Sequence, residues 1–220
     1  NNQQANISIS QGLNTKYKID SLGSEWTTDL SFNYSPNNTD QQFYTNIMLP
    51  WPFTTNGDAR IENRLSFFSG ATNYLKKLRG NITLETGLKA TATRFENNNR
   101  YYRGKDGTRS IDDIRTGAYN YNENINAAYV QASKTSGAII IKGGGRLENT
   151  NMRGDQLVPR DTSFPLNRTD FFPYLYLSRN IMKIAGYDLK AYLVYRRTII
   201  RPAYENLNPS PRYIDPYLYE

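Results

Sequence analysis

Several stretches of this chain alternate between apolar and polar residues, and this period of two most constrains how the chain can fold. From residue 25 to 34, Trp26, Leu30 and Phe32 stand at even positions, while the odd positions are all polar. Similar alternation runs through 81–95, 137–150 and 186–198. Successive side chains of a β-strand point to opposite faces, so each stretch predicts a strand with one dry face and one wet face.

Weaker alternation predicts further strands, at about 5–17, 42–49, 60–69, 118–133 and 166–180. The pattern therefore predicts an all-β fold, a long antiparallel meander of about nine strands, without a helix. Clusters of Pro, Asn, Gly and Asp predict turns at 35–38, 55–58 and 105–107. Polar or proline-rich composition predicts long loops at 96–117, 151–165 and 201–220.

Composition excludes many kinds of chemistry. The 220 residues contain no Cys and no His, which rules out disulfides, thiolate metal sites and imidazole catalysis. The 27 basic and 20 acidic residues give a net charge of +7, but both signs are interspersed, as on a solvated surface and not as in a nucleic-acid footprint. No apolar run of about 18 residues is present, which excludes a transmembrane helix. We expect no enzymatic activity, no cofactor and no nucleic-acid partner.

Two β architectures fit this alternation, a transmembrane barrel and a soluble sandwich. The stretches 80–95, 118–133 and 186–200 exceed the ~5–6 residues usual in soluble sheets and suit the ~9–11 residues that cross a bilayer obliquely. Aromatic residues near strand ends predict interfacial girdles at Tyr101, Tyr102, Phe171, Phe172, Tyr174, Tyr176 and Tyr195. These features favour the barrel. The alternative is a soluble extracellular β-sandwich that binds glycans or another surface ligand.

The wet faces of the predicted strands carry full charges of both signs. In a barrel these residues would face the lumen: Glu85, Lys89, Lys142, Arg146, Glu148, Asp188 and Lys190. The outer face of a soluble sheet would accept them equally well.

A few carboxylates invite a chemical interpretation. Asp112 with Asp113, or Glu123 with Glu148, could serve as acid and base, and a His-independent glycosidase is therefore a third, weaker hypothesis. Asp106 with Asp112 and Asp113 could bind Ca²⁺, although their spacing differs from that of an EF-hand loop. Solvated carboxylates explain all of them more simply, and we expect neither a catalytic nor a metal site.

The C-terminal part carries a motif with a recognisable pattern. It consists of Arg201, Pro202, Tyr204, Leu207, Asn208 and Pro209. This element resembles the barrel of TonB-dependent outer-membrane receptors, and is most similar to the outer-membrane β-barrel family common in Bacteroidetes. Residues 84–90, and 121–129 followed by 144–150, are similar to the same family in order and spacing. In this family the motif is structural, at the end of a strand that leads into an extracellular loop.

The resemblance implies a location in the outer membrane of a Gram-negative bacterium and energised import of an unknown ligand. It implies outer-membrane lipid, a plug domain and TonB as partners. Barrels of such receptors have about 22 strands, so we expect 1–220 to be a single all-β segment of a larger barrel, without the plug and the C-terminal strands. The loops at 96–117, 151–165 and 203–220 would help to capture the ligand.

Overall fold

A computed structural model describes residues 2–48, 50, 53–105, 108–184, 186–201 and 207. Most of them belong to one ten-stranded antiparallel sheet. Its strands are β1 Asn2–Asn6, β2 Ile9–Lys18, β3 Glu25–Ile47, β4 Phe53–Leu78, β5 Ile82–Lys105, β6 Thr108–Ile111, β7 Gly117–Ser136, β8 Ile139–Val158, β9 Thr162–Ile184 and β10 Tyr187–Arg196. Within the described residues, no helix is long and apolar enough to cross a membrane. The predicted all-β meander is confirmed.

The strand order is β1-β3-β4-β5-β7-β8-β9-β10, with β2 paired to β3 and β6 paired to β5. β1 and β2 lie along the same edge of β3, and the gap between them falls opposite Pro36. Proline has no backbone N–H to donate, which explains why pairing lapses at this point. Over the described residues the chain forms a single sheet that does not close, so the sandwich of two packed sheets is wrong.

The strands are longer than the sequence pattern suggested. Residues 96–105 continue β5, and 151–158 and 162–165 belong to β8 and β9, so the loops predicted there are wrong. The predicted turns at 35–38 and 55–58 lie inside β3 and β4. These polar segments remain strands because their backbones are paired with neighbouring strands. The loop predicted at 203–220 lies outside the described residues, Leu207 excepted.

Four short connections lie at one end of the sheet, which we call the turn end; the opposite end is the far end. They join β2 to β3, β4 to β5, β7 to β8, and β9 to β10. In the first, Asp20 accepts backbone N–H bonds from Leu22 and Ser24, both at 3.0 Å, and pairs with the Lys76 ammonium at 2.9 Å. The bond from Lys76 is the main reason why the pKa of Asp20 lies well below its usual value.

The register divides the sheet into two faces. Directly paired residues point to the same side, so the odd positions of β3, β4, β5 and β7 share one face with the even positions of β8, β10 and β9 up to Asn180. Beyond Asn180 a bulge in β9 shifts the register, so that Lys183 pairs with Asp188. We call this the polar face and the opposite one the apolar face. Near the turn end the apolar face presents exposed large side chains on adjacent strands, among them Trp26, Leu88, Val130, Leu147 and Phe171. They form a continuous apolar band.

The band has the dimensions of a bilayer core. On β5 it runs from Ile82 to Ala92 and ends at Arg94. This length is about 33 Å along the strand, or about 25 Å in height at a tilt of ~40°, the height of the apolar belt of outer-membrane barrels.

The tilt follows from the register. The continuous band ends at Tyr34 on β3 and at Phe171 on β9, and Phe171 is linked through the pairing ladder to Thr28. The edge of the band therefore shifts from residue 34 to residue 28, about 20 Å, across five strand steps of ~4.8 Å each. The resulting angle is ~40°, within the ~35–45° found for membrane barrels.

The predicted aromatic girdle is largely wrong. By register, Tyr101, Phe172, Tyr174 and Tyr176 point to the polar face, and Tyr102 lies beyond the band near the far end. Phe171 and Tyr195 do point to the apolar face. Aromatic side chains instead form paired rows across neighbouring strands: Tyr17, Trp26 and Tyr74 near the turn end, and Phe32 with Phe68 further up.

Candidate functional site

All seven charged residues expected to face a lumen project from the polar face. Two lie on β5, three on β8 and two on β10: Glu85, Lys89, Lys142, Arg146, Glu148, Asp188 and Lys190. Among the described strand residues, the buried non-glycine side chains also lie on this face, for example Ala59, Ala127 and Ser178. Side chains converge and cover one another on the concave side of a curved sheet, so this burial is typical of an inner wall.

The structure brings only some of these residues together. Arg146 and Glu148 form an ion pair at 2.6 Å. Lys142 lies over the Tyr176 ring at 5.7 Å from its centroid. Glu85 accepts a long hydrogen bond from Gln131 at 3.4 Å. Of the seven, Arg146 and Glu148 thus contact each other, whereas Glu85 and Lys89 lie two strands away on β5, and Asp188 and Lys190 lie on the edge strand β10.

Two neighbouring buried carboxylates form the centre of the polar face. Glu148 and Asp170 are paired across β8 and β9 and are 5% and 6% exposed. Arg146 and Arg201 both contact Glu148, while Asp170 pairs with Arg168 at 2.7 Å and Arg197 at 3.2 Å. Four guanidiniums thus surround two carboxylates. We call these six residues the charge network: Arg146, Glu148, Arg168, Asp170, Arg197 and Arg201.

Arg201 connects the C-terminal motif to this network. It follows β10 in the chain, yet its guanidinium reaches β8, where it also donates to the Thr150 hydroxyl at 3.0 Å. Leu207 packs on the polar face as well, against the aromatic residues of β5 and β7. Two motif residues therefore contact the polar face. The other four, Pro202, Tyr204, Asn208 and Pro209, lie outside the described residues.

The residues that Leu207 covers form a small apolar cluster near the far end. Phe95, Tyr119 and Tyr121 are its buried members, and the Tyr119 and Phe164 rings stack at 6.4 Å between centroids. We call this the aromatic cluster. Burial raises the pKa of Tyr119 to about 12, and burial is also the main reason why the pKa of Tyr121 is raised. These phenols stay neutral and pack as core residues.

Of the carboxylates considered for catalysis or metal binding, Asp112 and Glu148 are paired with arginines, and Asp106 lies outside the described residues. Asp112 is 3% exposed and pairs with Arg103 at 2.6 Å and Arg115 at 3.6 Å. Burial opposes its ionisation, but the two guanidiniums outweigh burial and lower the pKa of Asp112. Glu148 is neutralised by the charge network. Within the part of the chain that the structure describes, no cluster of three acidic residues is suited to hold a metal ion.

Sequence reasoning missed half of the charge network, namely Arg168, Asp170 and Arg197, although a local signal was available. Arginine stands two residues before an acid in five ion pairs, and each pair lies on one face of one strand because the strand period is two. The pairs are Arg60–Glu62, Arg94–Glu96, Arg146–Glu148, Arg153–Asp155 and Arg168–Asp170.

A protein family and a solved structure are similar to this chain. The family described as "Outer membrane protein beta-barrel family" matches residues 17–220. Among solved structures, the chain is similar to the crystal structure of the ferric citrate transporter FecA in the unliganded form, with 11% identity and a TM-score of 0.41. That match covers 72% of this chain and 25% of the other, so the chain spans about a quarter of the transporter's length. No curated protein matches.

Proposed function

Because this chain belongs to the outer membrane protein β-barrel family, we propose that it forms part of the wall of a TonB-dependent transporter. The apolar band holds the sheet in the Gram-negative outer membrane. The polar face lines the lumen and contacts a plug domain, and TonB energises import by acting on that plug. The imported ligand is a solute too large or too scarce to enter by passive diffusion.

The two-faced sheet is the observation that carries this proposal. A wall between lipid and a polar interior needs apolar side chains on one side and satisfied polar groups on the other. The buried carboxylates Glu148 and Asp170 are neutralised by arginines from β8, β9 and the segment that follows β10. The polar face can therefore pack closely without leaving buried charges unpaired.

The far end of the sheet supports a role in ligand capture. Short turns face the periplasm in outer-membrane barrels, so the far end would face the outside. There β5 extends 13 residues past Ala92, far beyond the ~11 needed to cross the bilayer. Arg109 pairs with Asp58 through two bonds of 2.9 and 2.7 Å and stacks 3.6 Å above the Tyr102 ring. These extended strands would carry the contacts to the ligand.

The open sheet supports a position within a larger barrel. Neither β10 nor the β1–β2 edge has a partner on its outer side among the described residues. An unpaired edge inside a bilayer leaves backbone groups unsatisfied. We propose that further strands close the barrel to about 22 and that a plug occupies its lumen.

A bilayer measurement and an uptake measurement together test this function. The complete outer-membrane protein would be inserted into planar bilayers in KCl, where a plugged transporter conducts little and a passive pore conducts steadily. In cells, depletion of solutes from spent medium would be compared between wild type and a gene deletion, with and without a protonophore. We expect depletion that depends on both the gene and the proton-motive force. Gene-dependent depletion that continues with the protonophore, together with steady conductance, would show a passive pore instead.

A further inference from the structure

An open groove of about 750 Å³ crosses the apolar face. Its residues come from β3, β4, β5, β7, β8 and β9, and its apolar lining includes Leu30, Gly70, Leu88, Ala90, Ala128 and Leu147. The register places Leu30, Gly70 and Ala90 side by side on three neighbouring strands. Since Gly70 and Ala90 are small, the surface of the band is recessed there. The recess lies within the apolar band, where the solvent is lipid.

The groove leaves the band on its β7–β9 side. Asn126, Asn149 and Thr169 also line it, and they continue the row of Leu30, Gly70 and Ala90. On β7 and β8 the band ends at Ala128 and Leu147, so these polar residues stand just above its edge. The groove therefore runs obliquely from mid-bilayer to the headgroup level, because the strands are tilted. Its shape suits an acyl chain that is anchored at the polar end.

A patch of uncharged polar side chains lies above that end. We call it the amide patch, and its members are the exposed Asn122, Asn124, Asn126, Asn151, Asn167 and Thr169 together with the half-buried Asn149. The Asn149 amide donates to Asn167 at 3.1 Å and to Thr169 at 3.0 Å. Amides with exposed donors and acceptors are suited to bind sugar hydroxyls.

Two arginines flank the amide patch in one row. Arg94 on β5 and Arg153 on β8 are both paired with Asn122 on β7, so their Cα atoms are about 10 Å apart. Their side chains are 68% and 62% exposed, whereas their carboxylate partners Glu96 and Asp155 are only 33% and 20% exposed. The two guanidiniums therefore stand further out than their carboxylate partners, and their exposed N–H groups are suited to bind a phosphate.

We propose that this part of the apolar face binds a phosphorylated, acylated glycolipid of the outer leaflet. One acyl chain lies in the groove, the sugar hydroxyls hydrogen-bond to the amide patch, and a phosphate lies between Arg94 and Arg153. The polar end of the groove points away from the short turns, which would face the periplasm. The lipid is therefore assigned to the outer leaflet. This inference rests on the location in the outer membrane and does not depend on transport.

The test measures the lipid that remains bound to the complete protein after extraction from its own outer membrane in mild detergent. Native mass spectrometry identifies the lipid, and sugar and phosphate assays quantify it per protein. Ala90→Leu fills the groove, and Arg94→Gln with Arg153→Gln removes the phosphate contacts. Ala132→Leu is the matched control on the same face nearer the turn end, and Arg60→Gln is the control for an exposed arginine outside the row.

We expect wild type and both controls to retain the glycolipid, and both test variants to lose it at least fivefold. If Ala90→Leu fails to fold, the Arg94→Gln, Arg153→Gln double variant decides the test, because these exposed side chains contribute little to the stability of the protein. Unchanged retention in a folded test variant would overturn the proposal, as would equal loss in the controls. Retention of an ordinary phospholipid in place of the glycolipid would overturn it too.

Discussion

The charge network makes a prediction whose sign can be tested. Glu148 is 5% exposed and is neutralised by two guanidiniums, those of Arg146 and Arg201. Removing one arginine, by Arg201→Gln or Arg146→Gln, leaves the other in place and should cost about 1–2 kcal/mol of unfolding free energy. Removing both leaves a buried carboxylate unpaired and should cost about 3–5 kcal/mol.

The decisive variant is Glu148→Gln, tested in two backgrounds. In the wild type it leaves two arginines without their counter-charge and should destabilise the protein. In the Arg146→Gln, Arg201→Gln background it removes the unpaired charge and should recover about 2 kcal/mol. Urea unfolding in detergent micelles, followed by tryptophan fluorescence, measures both differences. An effect of the same sign in the two backgrounds would refute the pairing described above.

Three further predictions concern the far end and the turn end. Leu207→Ala should uncover the aromatic cluster, cost about 1–2 kcal/mol because Leu207 is half-buried, and increase binding of a hydrophobic dye; unchanged stability and dye binding would contradict its packing. Lys76→Gln should raise the pKa of Asp20 towards its unfolded value of ~3.9. The low pKa of Asp20 stabilises the wild-type turn above about pH 4, and the stability that is lost on acidification should be smaller in the variant. An unchanged NMR titration of the Asp20 carboxyl group would contradict the pairing. Arg109→Gln should raise the pKa of Asp58 and speed proteinase K cleavage around β6, and unaltered cleavage would argue against a stabilising role of the Arg109–Asp58 pair.

Alternation was enough to predict the strands that cross the membrane, because there one face meets lipid and the other meets water. The stretches 25–34 and 81–95 are confirmed within β3 and β5 for this reason. Beyond the band both faces meet water, and the apolar signal disappears. Asn97 illustrates the failure: it lies among polar residues, yet it is 8% exposed and donates to Asn63 at 2.6 Å. Pairing of the backbone with β4 and β7 keeps such a segment in the sheet whatever its composition.

The charge network was only partly predictable from the sequence. Arg146 and Glu148 stood out because they lie on a strand with clear alternation. Arg197 and Arg201 follow the last strand, and their contacts with Asp170 and Glu148 depend on how the chain passes over the polar face. The resemblance identified Arg201 as a motif residue but assigned it no partner. Contacts so distant in sequence leave no local pattern.

The central claim is that the apolar face meets lipid and the polar face meets water, and a spin-label scan along β5 tests it most directly. The chain contains no cysteine, so single substitutions from Ile82→Cys to Glu96→Cys, including Leu88→Cys and Lys89→Cys, can be labelled one at a time in lipid vesicles. Accessibility to oxygen, which partitions into lipid, should peak at even positions up to Ala92. Accessibility to a water-soluble nickel complex should peak at odd positions and then rise on both faces from Arg94 onward. Oxygen peaks at odd positions, or no alternation between 82 and 92, would contradict this account.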